Sequence, residues 1–343
     1  MRRPPTLLAA VAVPGLMLAG CGGGGQSADG DGTTVVTSTN VYASIVEAVA
    51  GDAVDVRPII DDPAQDPHEY EATARDQLEL SRADLVVMNG GGYDSFVTTM
   101  LDAIDTEPDV IDTVAISGLP GAAEAAADGG SHDHSHGHEG ESDGGDEDGA
   151  GRDDEDDKDG SSDDGHSHEH GTFNEHVWYS VPTMLALVDE VETHLAEAVP
   201  DSAQQFETNA EGLRDELGSL QTRIDGIADE HSGERAAVTE PVALRLFEDL
   251  ELENVVPDDF VSAVEAGSDV SPLIVAEATE AVDDEVRVFA YNVQTSGPEA
   301  EALRSSAEEQ GIAVVEVAET MPADTDYVTW MTDTVDAVEQ ALL

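Results

Sequence analysis

A single cysteine, Cys21, stands among 343 residues, so no disulfide within the chain can staple this fold. Basic side chains are almost as scarce. Thirteen Lys and Arg face 76 Asp and Glu, a formal net charge of −63. A surface of that sign repels phosphate, which excludes nucleic acid as a partner. No apolar run reaches the roughly 20 residues that a bilayer-spanning helix needs. No Gly-x-x-x-x-Gly-Lys-Ser/Thr segment is present, so any ATP hydrolysis has to lie in another subunit. The His-Glu-x-x-His pattern of zinc proteases is missing as well, and Ser95 and Ser180 have no evident base beside them. These absences argue against an enzyme.

Histidine and carboxylate are what the chain has instead, and they are concentrated. Residues 66–71 read Asp66-Pro67-His68-Glu69-Tyr70-Glu71, and residues 174–178 read Asn174-Glu175-His176-Val177-Trp178. Between them lies a tract with His132, His134, His136 and His138, then His166, His168 and His170. Imidazole and carboxylate are the side chains that bind borderline divalent metals. Residues 122–171 also hold 18 acidic and 2 basic side chains, so −16 of the total charge falls there and the rest is spread over the folded part. Acidity this diffuse costs stability by self-repulsion unless salt screens it, which suggests a saline environment.

The N-terminus reads as an export signal. Met1-Arg2-Arg3 is basic, Leu7 to Leu18 is apolar but short, and Leu18-Ala19-Gly20-Cys21 follows. Those last four residues resemble the bacterial lipoprotein processing site, which implies acylation of Cys21. Residues 1–20 are then a signal peptide, and 21–32, rich in glycine, a flexible tether. The expected location is extracytoplasmic, lipid-anchored to the outer face of the cytoplasmic membrane.

About 310 residues remain, enough for two α/β lobes. The pattern predicts strands at 34–37, 54–60 and 84–88. Helices are expected at 41–50, 73–83 and 93–104, in βα succession. Residues 122–171 carry almost no large apolar side chain and are expected to be disordered. Residues 181–199 read as helical. An amphipathic helix over 200–230 follows, with Phe206, Leu213, Leu217, Leu220 and Ile224 at helical spacing. The βα rhythm then resumes, with strands at 236–239, 286–291 and 312–317 and helices at 242–250, 297–310 and 327–342. The organisation expected is an N-terminal lobe over 33–199, a connecting helix over 200–230 and a C-terminal lobe over 231–343. Each lobe has a parallel sheet, and a cleft lies between them.

Open parallel sheets bind ligands at the carboxyl ends of their strands. His68 follows the second strand, Glu240 follows residues 236–239, Glu319 follows 312–317, and His176 opens the chain after the low-complexity tract. A glutamate before Pro241 can equally start a helix, so Glu240 has a structural reading too. A site closed by two histidines and two carboxylates leaves no open position for a water nucleophile, and so favours carriage over catalysis.

At these residues the chain resembles the metal-binding components of zinc and manganese ABC importers. Asp66 to Glu71 is similar to that family's Asp-Pro-His-x-Tyr-Glu motif, Asp84 to Gly90 to its strand and turn, and Asn174 to Trp178 to its second histidine motif. The resemblance covers nearly the whole mature chain. It implies metal ligation by His68, His176, Glu240 and Glu319, capture of zinc (alternatively manganese) as the transported ligand, and delivery to a membrane permease with its ATPase subunit. It also implies a protein working as a monomer. The histidine-rich tract, as an auxiliary weak metal binder, points to zinc. An extracellular metal buffer or adhesin and a secreted metalloenzyme are the other classes. Acid is expected to weaken binding as the histidines protonate.

Overall fold

In a computed structural model, which describes residues 32–128, 173–294 and 297–343, two parallel sheets stand at the centre of two lobes. The N-terminal sheet has strands β1 (Thr34–Thr39), β2 (Asp55–Ile60), β3 (Leu85–Met88) and β4 (Asp109–Asp112), in the order β2-β1-β3-β4. The C-terminal sheet has β5 (Arg235–Val238), β6 (Glu253–Asn254), β7 (Val286–Asn292) and β8 (Ala313–Val317), in the order β6-β5-β7-β8. Every pairing is parallel. The inner strands are rich in valine and buried, as a sheet covered on both faces requires. In each lobe the chain runs from the first strand to one side and then crosses to the other. The strand ends therefore face a crevice at the switch point.

The helix Ala203–His231 joins the lobes. Phe206, Ala210, Leu213, Leu217, Leu220, Ile224 and Ile227 recur at three- and four-residue spacing and are buried. Near its start, Gln205 and Asn209 donate to the carbonyls of Ala50 (3.4 Å) and Val49 (2.9 Å), which end the helix Asn40–Ala50 of the first lobe. Towards its other end, Arg223 pairs with Asp336 and Glu339 on the closing helix Tyr327–Leu342. One apolar cluster runs through both lobes, from Val35 to Leu342. A shared core and a continuous helix restrain relative motion of the lobes.

Five elements depart from the sequence expectations. Strands β4 and β6 and the helices Asp258–Glu265 and Pro272–Ala281 lie in stretches left unassigned. Both strands are short edge strands, and edges are commonly kept short and polar, so they carry little apolar signal. Finally, Ala122–Asp128, expected to be disordered with the tract, is a helix. Its sequence is alanine-rich, and Ala122 packs with Val114 and Val177. The rest of that tract, with its seven histidines, lies outside the described residues, as do the signal peptide, Cys21 and almost all of the tether. No described helix is long and apolar enough to cross a membrane.

Candidate metal centre

The two histidine motifs are built alike. Asp66 Oδ1 accepts the backbone N–H of His68 at 2.9 Å, and Asn174 Oδ1 accepts that of His176 at 3.0 Å. In each case an Asx side chain two residues ahead fixes a turn that presents the imidazole. The rest of the first motif anchors its loop: Pro67 is buried, and Tyr70 packs on Phe96 and donates to Asp76 at 2.7 Å. Asp76 also closes the capping box of the next helix with Thr73. The second motif has Asn174-Glu175 where the resembled motif has Asp-Pro, and Asn174 performs the turn. Its Oδ1 also lies 2.8 Å from His176 Nδ1, an arrangement that places a proton on Nδ1 and turns Nε2 into the cleft. Arg245 holds the Asn174 carbonyl at 2.7 Å and lies over the Phe173 ring.

His68 is exposed at the mouth of the cleft, whereas His176 is fully buried, with the two rings 5.8 Å apart. Both pack edgewise against Tyr93.

The carboxylates come from the second lobe. Glu319 follows β8, is buried, and places Oε2 at 3.3 Å from His176 Nε2. Glu240 follows β5 and is also buried. It occupies the cap position of the turn at Pro241–Ala243, but its side chain makes no capping hydrogen bond. Instead Glu240 Oε2 accepts from Asn292 Nδ2 at 2.6 Å, and the same Nδ2 reaches Glu319 Oε1 at 3.1 Å. Asn292, the last residue of β7, thus holds the two carboxylates side by side.

A further carboxylate joins them. Glu265 Oε1 lies 3.6 Å from His176 Nε2, and ligand atoms of His68, His176 and Glu265 all fall within 4.8 Å of one another. Sequence reasoning missed Glu265 because its helix was not recognised. The available signal was the spacing of Phe260, Val261 and Val264, which buries one face of Asp258–Glu265.

The cleft is electrostatically tense. Burial alone would lower the His176 pKa, but the adjoining carboxylates, Glu319 first, outweigh it and raise it to about 9. Burial would likewise raise Glu319, and the imidazolium of His176 more than offsets this, leaving it lowered. Glu265 is pushed up to about 8, chiefly by burial; His176 pulls it down, and Glu175, Glu319 and Glu240 push it further up. Hard and borderline donors that converge while repelling one another suit a divalent cation.

Two hydrogen-bond systems tie the lobes together around this cluster. Gln294 Nε2 approaches the carbonyls of Pro63 (3.1 Å) and Gln65 (3.3 Å) in the His68 loop and the Thr320 hydroxyl at 2.8 Å, while its Oε1 accepts from Glu319 N. Asn40, just after β1, donates to Met321 O at 2.8 Å and accepts from Met321 N at 3.1 Å.

Residues 35–341 match the family described as ZnuA, zinc-uptake complex component A periplasmic. Among known proteins, the zinc-binding lipoprotein AdcA of Streptococcus pneumoniae is 26% identical over 296 residues, 85% of this chain and 50% of that protein. The manganese-binding lipoprotein MntA of Bacillus subtilis is 26% identical over 216 residues, 62% of this chain and 56% of its own length. This chain therefore spans about half the length of these relatives. The periplasmic zinc binding protein TroA of Treponema pallidum superimposes with a TM-score of 0.66 at 18% identity, covering 91% of this chain and 99% of that one, so the fold is shared.

Proposed function

The chain belongs to the zinc-uptake complex component A family, and from that premise we propose that it is the extracytoplasmic solute-binding component of an ABC importer. It captures a divalent transition metal, zinc foremost, and delivers it to a membrane permease energised by a separate ATPase subunit. The observation that supports this reading is the approach of His176 from one lobe to Glu319 of the other at 3.3 Å, with His68 beside His176 and with Asn292 bridging Glu319 to Glu240. We assign those four side chains as ligands. Manganese is the alternative cargo: carboxylate-rich sets suit it, and a relative named for manganese stands beside one named for zinc.

The mechanism follows from the donors. In the metal-free protein His176 carries a proton against Glu319, and the incoming ion displaces it. The ion then bonds to both lobes and adds to the ties made by Gln294 and Asn40. The permease recognises this joined form and releases the ion by drawing the lobes apart. The long helix keeps that movement small. Acylated Cys21 anchors a monomer to the outer face of the cytoplasmic membrane, and the histidine-rich tract gathers zinc weakly. The lobes catalyse no reaction.

Metal content after joint exposure to zinc and manganese tests the reading. One tightly held ion, lost in His176→Ala, supports it. Equal loading of the two proteins would place binding in the tract and remove the cleft assignment. Loss of membrane association in Cys21→Ala tests the anchor.

A further inference from the structure

Glu265 is out of place for an ordinary surface carboxylate. It ends the helix Asp258–Glu265, where the partial negative charge of the helix dipole disfavours an anion. Its side chain is only 23% exposed, and Oε1 has no hydrogen-bond donor among the described residues. The nearest charged partner is His176, fully buried, whose Nε2 likewise has no well-aligned hydrogen-bond partner among the described residues and faces Glu265 Oε1 at 3.6 Å and Glu319 Oε2 at 3.3 Å. A carboxyl kept at a helix C-terminus, among other carboxylates and without a donor, is stabilised in its charged form when a divalent cation lies within reach. The convergence of His68, His176 and Glu265 within 4.8 Å sets that reach.

We propose that Glu265 is a further ligand of the transported ion and decides which metal the cleft retains. The proposal rests on the cleft being the metal site. With Glu265 the donor set is two imidazoles and three carboxylates, drawn from four different strand ends or loops and one helix. Zinc is satisfied by four ligands in a tetrahedron, whereas manganese takes more ligands and favours oxygen. For a given four-ligand set the usual order of divalent metals favours zinc. A fifth, oxygen donor therefore contributes mainly to manganese and narrows the gap. Glu265 sits on a helix connection between β6 and β7 and not at a strand end, so it can approach or leave the ion without disturbing the sheet. Mostly buried, it lies beside the exposed His68, at the open side of the cluster.

Competitive titration of zinc and manganese into the full chain, its Glu265→Gln and Glu265→Ala variants, and His176→Ala tests this. His176→Ala reports the background from the histidine tract. The expected result is a loss of manganese affinity of about tenfold or more in both Glu265 variants, as for removal of a weak ligand, with zinc affinity changed by less than about threefold. The electron paramagnetic resonance spectrum of bound manganese should also differ between the wild type and Glu265→Gln, since an anionic carboxylate is exchanged for a neutral amide. Parallel loss for both metals, or no change for either, overturns the inference. If wild type holds one tight ion that His176→Ala loses while the Glu265 variants keep the metal ratio, only Glu265 is misassigned. If wild type and His176→Ala load alike, the cleft assignment itself fails.

Discussion

Equivalent strands of the two sheets end in different chemistry. Strands β3 and β7 hold the same place in their sheets, and each is closed by an asparagine: Asn89 immediately after β3, Asn292 at the end of β7. Asn89 spends its side chain on the chain itself. It accepts from the Tyr42 hydroxyl and donates to the carbonyls of Gly90 (2.9 Å) and Glu175 (3.0 Å), steadying the turn that leads into His176. Asn292 donates instead to the carboxylates of Glu240 and Glu319. After β1 the chain has Asn40, which latches onto Met321 across the cleft; after the matching β5 it has Glu240. One lobe frames the two imidazoles and the other holds the carboxylates that repel one another. A duplicated scaffold can therefore supply both halves of a cation site, because the strand ends are geometrically equivalent and chemically free.

Removing the donor at the centre should break this division most severely. His176→Ala is expected to lower metal affinity by more than the 10–100-fold typical of losing an outer hydrogen-bonding partner, read by competition with a chelating dye. The two asparagines sharpen the contrast. Asn292→Ala should lower metal affinity by about 10–100-fold. Asn89→Ala should instead cost about 1–3 kcal/mol of stability, because buried partners lose their bonds, and denaturant unfolding of the metal-free protein measures it. Equal effects of the two substitutions on affinity would erase the proposed division of labour. Gln294→Ala cuts the tie between the His68 loop and the Glu319 turn, and about a tenfold loss of affinity is expected from a ligand loop less well held.

The pH response has opposite signs for stability and for binding. His176 has a raised pKa, so its stabilisation is complete below the unfolded value of about 6.5 and is lost as pH rises through about 9. Glu265, also raised, adds a loss of stability as pH climbs from the unfolded carboxylate range through about 8. Glu319, lowered, contributes above its unfolded value and loses that contribution as pH falls through the folded one. The metal-free protein should therefore melt at progressively lower temperature from pH 7 to pH 9, while metal affinity rises over the same interval as the proton on His176 departs. Affinity already level above pH 7 would contradict this. The smallest effect is expected from salt: at a net charge of −63, added NaCl should raise the melting temperature by screening, and a flat response would remove the saline-environment reading.

Much of the site was legible from short-range patterns. The βα rhythm gave the strands that place His68, Glu240 and Glu319, because hydrophobic period and turn residues act over a few positions. The spacing of Asp66 to His68 and Asn174 to His176 is local too, and the structure explains both as Asx turns. Short, polar edge strands and the helix Asp258–Glu265 were not legible. With them went Glu265, the charged neighbour that no motif marks.

By itself the sequence determined the two-lobed α/β class, the histidine motifs and the strand-end carboxylates, since each is written within a few consecutive residues. Tertiary structure alone decided that Asn292 clamps two glutamates, that Glu265 turns toward His176, and that Gln294 reaches Pro63 from 231 residues away. Those contacts depend on which strands lie side by side in a sheet and on how the two lobes meet, and no local period of the chain records either.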